Sequence, residues 1–453
     1  MVSNTITDLL GITNPKVTLT GKKPSKTEHD DYVRISLDHV RPIQGFTQAN
    51  IQAMYEDLLF KRLNQTREDK QNIKFLSMRN YADCDAEKGI DRMLLDWFSA
   101  VLRPCVAYSA TKLLERFGLP QKTLEFKYEP KLYAIREARL SHEAVSPLRP
   151  DWAVVDMSQF NSAQTDVTGI ANVVGEDKRS QGFDPQLLGN LISVGGTDYE
   201  NIFRSERSKS RIKYVIATLK QIGTYAWLGQ TRYAFVITEN TATFLRFFLV
   251  QRAQYTKDIV LGAEYSWIDM TNSGTSELTM NRGLYALAMM AQNEQYRNIV
   301  EEQELEDLNV WYYEYIEGEY LYFHPISEIV TTGKPDIDRA PIPIAHAKMQ
   351  IRMRFEVRHF HSINEATSEN PWVSDSSEGS REIGSNRSEV SGSDSGAEYW
   401  TISKVVPNDR VLNGRLRKRT RRVKQRIKVP RGKHWCLRLA DDGTWFPDID
   451  EKH

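Results

Sequence analysis

Two short motifs bring together residue types that can hold a hard metal ion beside a phosphate. Arg149-Pro150-Asp151-Trp152 opens one apolar segment. Gly175-Glu176-Asp177-Lys178 closes the next, with Glu176 25 residues after Asp151. Two carboxylates on neighbouring strands can share one divalent cation, which takes oxygen ligands and keeps several waters. Side chains alternate along a strand, so Asn172, Val174, Glu176 and Lys178 share one face and Asp177 points the other way. A lysine ammonium beside the second carboxylate can orient or help deprotonate a water, or stabilise charge developing on a phosphorus centre. On this reading Asp151 and Glu176 hold Mg²⁺ or Mn²⁺, Lys178 handles the water, and Asp177 is a flanking acid, solvated or ion-paired. The plain alternative makes Asp151 a turn acid after Pro150 and Glu176–Lys178 a surface pair worth well under ~1 kcal/mol.

These residues need strands to carry them and helices to cover those strands. Alternating or apolar runs predict strands over 123–128, 132–135, 152–157 and 171–178. Tyr233 to Thr238 is an apolar strand that requires cover on both faces. A turn at Glu239-Asn240 leads to a hairpin partner over 243–250. Helical spacing appears over 47–64, 87–117, 211–230 and 278–297. Pro104 divides the second of these, and Gly118 is a C-cap. Helix, strands, helix, strands in this order predicts an α/β fold with a mixed central sheet flanked by helices.

The 211–230 helix has an aliphatic stripe of Ile212, Val215, Ile216, Leu219, Ile222 and Ala226. Gln221 and Tyr225, at i and i+4, fall on the far side of it. They either contact the site or a nucleic-acid strand, or form a polar pair on a second buried face.

Asp…Glu-x-Lys followed by Gln-x-x-x-Tyr resembles the PD-(D/E)XK nuclease superfamily, in the branch with a Gln-x-x-x-Tyr helix. Together with Thr231-Arg232-Tyr233-x-Phe235-x-Ile237-Thr238, these motifs look like a group of uncharacterised fungal nuclease-like proteins. The resemblance covers about Ala86 to Val250. It implies a restriction-endonuclease-like core and metal-dependent hydrolysis of phosphodiester bonds in DNA or RNA. It also implies an acid on the helix before the core, which here is Glu87. That residue equally fits a helix-start acid facing the macrodipole. Asp151, Glu176, Lys178, Glu87, Gln221 and Tyr225 are the expected catalytic set. Arg149, Arg179 and Arg232 are the expected phosphate contacts, or else ordinary surface charges. The alternative is an inactive nuclease-fold module that binds nucleic acid or a protein partner.

Composition limits other classes. The 453 residues are 40% hydrophobic, enough for a sizeable core, and carry 60 basic and 60 acidic side chains. Balanced charge leaves a nucleic-acid partner open, because distribution decides it. Cys84, Cys105 and Cys436 are too far apart for a zinc motif or disulfide framework. No apolar run suits a signal or membrane span, so the expectation is a soluble intracellular protein. Val194-Gly195-Gly196-Thr197 lacks the Lys-Ser/Thr of a phosphate loop.

Residues 1–45 read as an irregular lead-in, 46–305 as the nuclease-like domain and 306–365 as an aromatic-rich extension with a hairpin around Glu317-Gly318. His359 and His361 sit in a strand-like run with structural roles. Residues 366–398 form a linker; Ser374 to Glu398 holds nine Ser and four Gly and cannot bury enough surface to order itself. The tail, 399–453, contains eleven Lys or Arg and no acid between Arg415 and Lys433. That run fits a nuclear signal or nucleic-acid arm, or a plain basic strand. The C-terminal third as a whole also suits a protein partner.

Overall fold

The computed structural model describes residues 5–19, 32–83, 86–129, 131–132, 150–157, 166–167, 171–193, 206–253, 255–316, 318–337 and 339–368. After residue 396 it describes the backbone of 397–407, 410–412, 415–417, 420–430, 435–439 and 445–449. The chain divides into two units, Met1–Pro371 and Trp372–His453.

A seven-stranded mixed sheet organises the first unit. Its strands are β1 (Arg34–Pro42), β2 (Leu124–Tyr128), β3 (Trp152–Asp156), β4 (Val173–Asp177), β5 (Tyr233–Ile237), β6 (Thr241–Gln251) and β7 (Val260–Asp269). Their spatial order is β1-β7-β6-β5-β4-β3-β2. The central pair β4–β5 is parallel and β5–β6 is an antiparallel hairpin. β3 runs antiparallel to both β4 and β2. Every residue of β3, β4 and β5 is buried, the acids Asp156, Glu176 and Asp177 at the strand ends included.

Helices cover both faces. On one face lie α1 (Ala86–Trp97), α2 (Arg103–Phe117) and α5 (Met280–Met290), over Trp152, Val154, Val173, Phe235 and Ile237. On the other lie α3 (Pro185–Ser193) and α4 (Glu206–Leu228), over Ala153, Val155, Val174, Ala234 and Val236. α1 and α2 are one run. Phe98–Leu102 widens into a π turn just before Pro104, whose ring removes one backbone donor. Gly118, at φ +66, ends α2 with its N–H on the Leu114 and Glu115 carbonyls. Cys105, inside α2, is a buried free thiol.

The N-terminal segment is more ordered than its composition suggests. Thr5 and Asp8 form a capping box on the helix Ile6–Leu10, and β1 joins the sheet edge parallel to β7. The β1 register shifts between Leu261 and Ala263, which hides the strand's alternation.

A second, four-stranded sheet follows in the same unit. β8 (Tyr312–Ile316) and β9 (Glu319–Phe323) form the expected hairpin, flanked by β10 (Val330–Thr331) and β11 (Ile342–Pro343). Helix α6 (Met349–Ser368) covers it through Ile351 and Phe355. The run holding His359 and His361 is therefore helical rather than a strand, and His359 stacks on Phe355. No helix among the described residues is long and apolar enough to cross a membrane.

In the second unit, Ala397–Pro407 pairs antiparallel with Thr420–Pro430, and Arg410–Leu412 with Arg415–Arg417. The described part of the basic run is thus strand. Most of the Ser/Gly-rich segment, 369–396, lies outside the described residues, as do Cys84 and Val194 to Thr197.

Candidate metal and phosphate site

The site forms where β3 and β4 end beside each other. Trp152 pairs with Gly175, so one further step in that antiparallel register sets Asp151 opposite Glu176. Opposed residues point to the same face. Asp151 is anchored on both sides: its Oδ2 accepts the Asp177 N–H at 2.9 Å, and its carbonyl accepts the Glu129 N–H at 2.8 Å. Gly175 is needed between the acids. A Cβ there would sit 2.0 Å from the Phe235 ring on neighbouring β5.

Glu176 is 2% exposed. Its Oε1 accepts from Lys178 Nζ at 2.5 Å and from Gln221 Nε2 at 2.6 Å. Lys178 retains 17% of its side-chain exposure, so the ion pair touches solvent from the lysine side. The Asp151 carboxyl is pushed up to about 8, chiefly by burial and then by the Glu176 charge; Lys178 and the Asp177 N–H oppose that rise. Asp151, Glu176 and Lys178 therefore share one electrostatic environment.

Helix α4 completes it. Gln221 uses its amide twice, donating to Glu176 and to the Tyr225 hydroxyl at 3.0 Å. Burial, then the Glu176 charge, pushes the Tyr225 phenol up. The polar face of α4 is covered because β1 and the residue before it lie against that helix. Val33 N–H donates to Thr224 Oγ1 at 3.0 Å, and Tyr32 hydrogen bonds Tyr225. Tyr32 is a site residue the sequence did not announce. It lies in the lead-in, and only the chain's return along β1 brings it to α4.

Asp177 is buried and hydrogen-bonded rather than solvated or ion-paired. It is 1% exposed and its Oδ2 accepts from Trp152 Nε1 at 2.8 Å. Burial, then contact with Asp91, then the Asp151 charge push its carboxyl well up. Asp91 also accepts from Tyr128 Oη at 2.9 Å, and its charge adds to the rise at Asp151. Asp91 is thus the acid that α1 brings to this end of the sheet. Glu87 starts the same helix, but its side chain lies outside the described residues. The two are i and i+4, so helical spacing from Glu87 was the available signal.

The three arginines separate. Arg149 lies outside the described residues. Arg179 is buried beside the site. Arg232 is no surface cation: it is 1% exposed and donates to the Asn298 carbonyl at 2.7 Å and the Gln295 carbonyl at 3.1 Å. Its guanidinium clamps the 295–298 turn onto the start of β5.

Among the described residues no three or more His, Cys, Asp or Glu side chains are grouped to hold a metal ion. The oxygen donors the site offers are the Asp151 and Glu176 carboxylates. A cleft of about 350 Å³ lined by Gln48, Glu56, Trp311, Lys334 and Asp336 lies elsewhere, and none of the site residues lines it. The class these observations define is a mixed α/β protein with buried acids and a lysine at one end of its central sheet. Compared with known proteins, the chain matches no family model, no curated protein and no solved structure.

Proposed function

We propose that this chain is a metal-dependent phosphodiesterase acting on DNA or RNA, with nuclease chemistry of the PD-(D/E)XK kind. The observation that carries the reading is the opposition of Asp151 and Glu176 on adjacent strands, with Lys178 bonded to Glu176. The donor set fits a hard divalent cation. Burial first, and then repulsion by the Glu176 charge, disfavours the ionised Asp151 carboxyl, and a doubly charged ion offsets both. Asp151 and Glu176 would hold Mg²⁺ or Mn²⁺, which supplies Lewis-acid polarisation of a phosphoryl oxygen.

The chain's own side chains do the rest. Gln221 fixes one oxygen of Glu176, and Tyr225 fixes Gln221. The Asp177 N–H fixes Asp151. Lys178, partly exposed, carries the positive charge that orients water or meets charge developing on the phosphate. In the second unit the basic run supports a polyanionic partner through counterion release, and it fits nuclear import.

A second reading, a nuclease-fold module that binds without cleaving, is favoured by one observation. The described site offers two acids to an ion rather than three. Cleavage of labelled single- and double-stranded DNA and RNA in Mg²⁺ or Mn²⁺ separates the readings. The first expects cleavage that Lys178→Ala abolishes without loss of folding. Retention without cleavage in any divalent metal supports the second, and equal activity in Lys178→Ala contradicts the first.

A further inference from the structure

The second sheet carries a tyrosine face away from the acid site. Tyr313 and Tyr315 on β8 stand opposite Tyr322 and Tyr320 on β9, so all four rings share one side of the hairpin. Ring centroids lie 5.0 Å apart for Tyr315–Tyr320, 5.8 Å for Tyr313–Tyr320 and 6.4 Å for Tyr313–Tyr322. Helix α6 packs on the other side of the sheet through Ile351 and Phe355. The tyrosine side has no such cover at its tip: Tyr315 is 62% exposed and Tyr320 51%. Rings held together in water are the kind of surface that partners bury.

This face runs into the cleft of about 350 Å³. Thr331 on β10 stands opposite Tyr322, which puts it on the ring side, and it also lines the cleft. The charged groups of the cleft are Glu56, Asp336 and Lys334, all exposed and none in an ion pair among the described residues. In its wall, Gln48 Nε2 donates to the Thr275 carbonyl at 3.2 Å and to Gln52 Oε1 at 3.4 Å. That leaves Gln48 Oε1 a buried acceptor with no donor among the described residues. Acceptors and negative charge therefore predominate. The hairpin sequence adds Glu314, Glu317 and Glu319 and no Lys or Arg.

A guanidinium suits both parts. It has five N–H donors, forks onto carboxylates and stacks on aromatic rings, which an ammonium does less well. Nucleic-acid bases also stack on tyrosine, but their phosphates would meet the unpaired acids of the cleft and hairpin. We infer that the tyrosine face and the adjoining cleft bind an extended, arginine-bearing peptide segment of a partner protein. The guanidinium lies in the cleft against Glu56 and Asp336, and the flanking residues cross Tyr315 and Tyr320. This site is independent of the phosphodiesterase reading.

The test probes the full chain with an array of nonapeptides that hold Arg at the centre between randomised flanks. The tightest binder is then labelled and titrated by fluorescence anisotropy beside its citrulline version, which keeps the side-chain shape and lacks the charge. The Arg peptide should bind at least about tenfold more tightly. Glu56→Gln with Asp336→Asn should weaken it about fivefold or more, and Tyr315→Ser with Tyr320→Ser about threefold or more. Both double variants change exposed side chains, so their melting temperatures should stay near wild type. The citrulline comparison needs no variant and decides the matter if one fails to fold. Equal binding of the two peptides overturns the inference, as does full affinity in either folded double variant or an array that retains nothing. Polyuridine binding that is lost with the two tyrosines and kept without the two acids also overturns it, in favour of base stacking.

Discussion

Gln221 and Glu176 meet at 2.6 Å across 45 residues of chain, joining helix α4 to strand β4 inside the core. The amide is a neutral donor to a buried carboxylate that also carries Lys178. Without it the carboxylate keeps its burial and loses a bond.

Gln221→Leu is accordingly expected to destabilise the fold by about 1–3 kcal/mol, measured by denaturant unfolding. It should also lower divalent-cation affinity, because Glu176 loses a group that orients it. A variant with unchanged stability and unchanged metal affinity would mean that the bond is idle.

Gly175→Ala should act through packing. The new methyl would overlap the Phe235 ring, and β4 and β5 are too tightly paired to separate. Loss of about 1–3 kcal/mol is expected. Phe235→Leu in the same chain should recover part of it, a coupling that a double-mutant cycle reads directly.

Asp151 sets a pH dependence. Its ordinary value is 3.8 and burial raises it to about 8 in the folded chain. Between those limits the folded state holds a proton that the unfolded chain has released. Metal-free stability should therefore fall as pH rises from about 4 to about 8, then level off. Thermal melts in that window should show the slope, and Asp151→Asn should reduce it, leaving the part that the raised Asp177 carboxyl contributes with the same sign. Added Mn²⁺ should oppose it, since the ion binds the ionised form.

His324 contributes the opposite slope. Burial drops its imidazole from 6.5 to about 4. It is fully enclosed, bonded to the Leu308 carbonyl at 3.0 Å and packed on Trp311. The unfolded chain takes up a proton the folded one refuses, so stability is lost as pH falls from about 6.5 to about 4. His324→Gln should weaken that acid-side loss in melts recorded over the same range.

Arg232→Ala separates structure from nucleic-acid contact. Its bonds go to the Asn298 and Gln295 carbonyls, so removal is expected to destabilise by about 3 kcal/mol. The salt dependence of nucleic-acid binding should not change. A shallower salt slope would place Arg232 against phosphate after all.

What the sequence disclosed follows the range of the interactions involved. Asp151, Glu176 and Lys178 were legible because strand alternation and one antiparallel register are local rules. Gln221 and Tyr225 were legible as an unexplained polar pair on an apolar helix, and Glu176 is what explains them. Tyr32 was not, since it reaches the site through a contact far away in the chain; Asp91 lies one turn beyond the expected Glu87 on the same helix. Asp177 follows alternation in pointing away from Glu176, but α1 covers that face and buries it. Arg232 stands before an apolar strand like a surface residue, and only the 295–298 turn folding over it reveals burial. Around His359 a period-two pattern competes with Ile351 and Phe355 at i and i+4. Packing on the second sheet decides for the helix.

Calorimetric titration of Mn²⁺ into the full chain at pH 8 tests the central claim most directly. The account predicts saturable uptake at one site, weakened at least ~10-fold in Glu176→Gln and in Asp151→Asn, with both variants folded. No uptake by the wild-type chain, or equal uptake by Glu176→Gln, would contradict it.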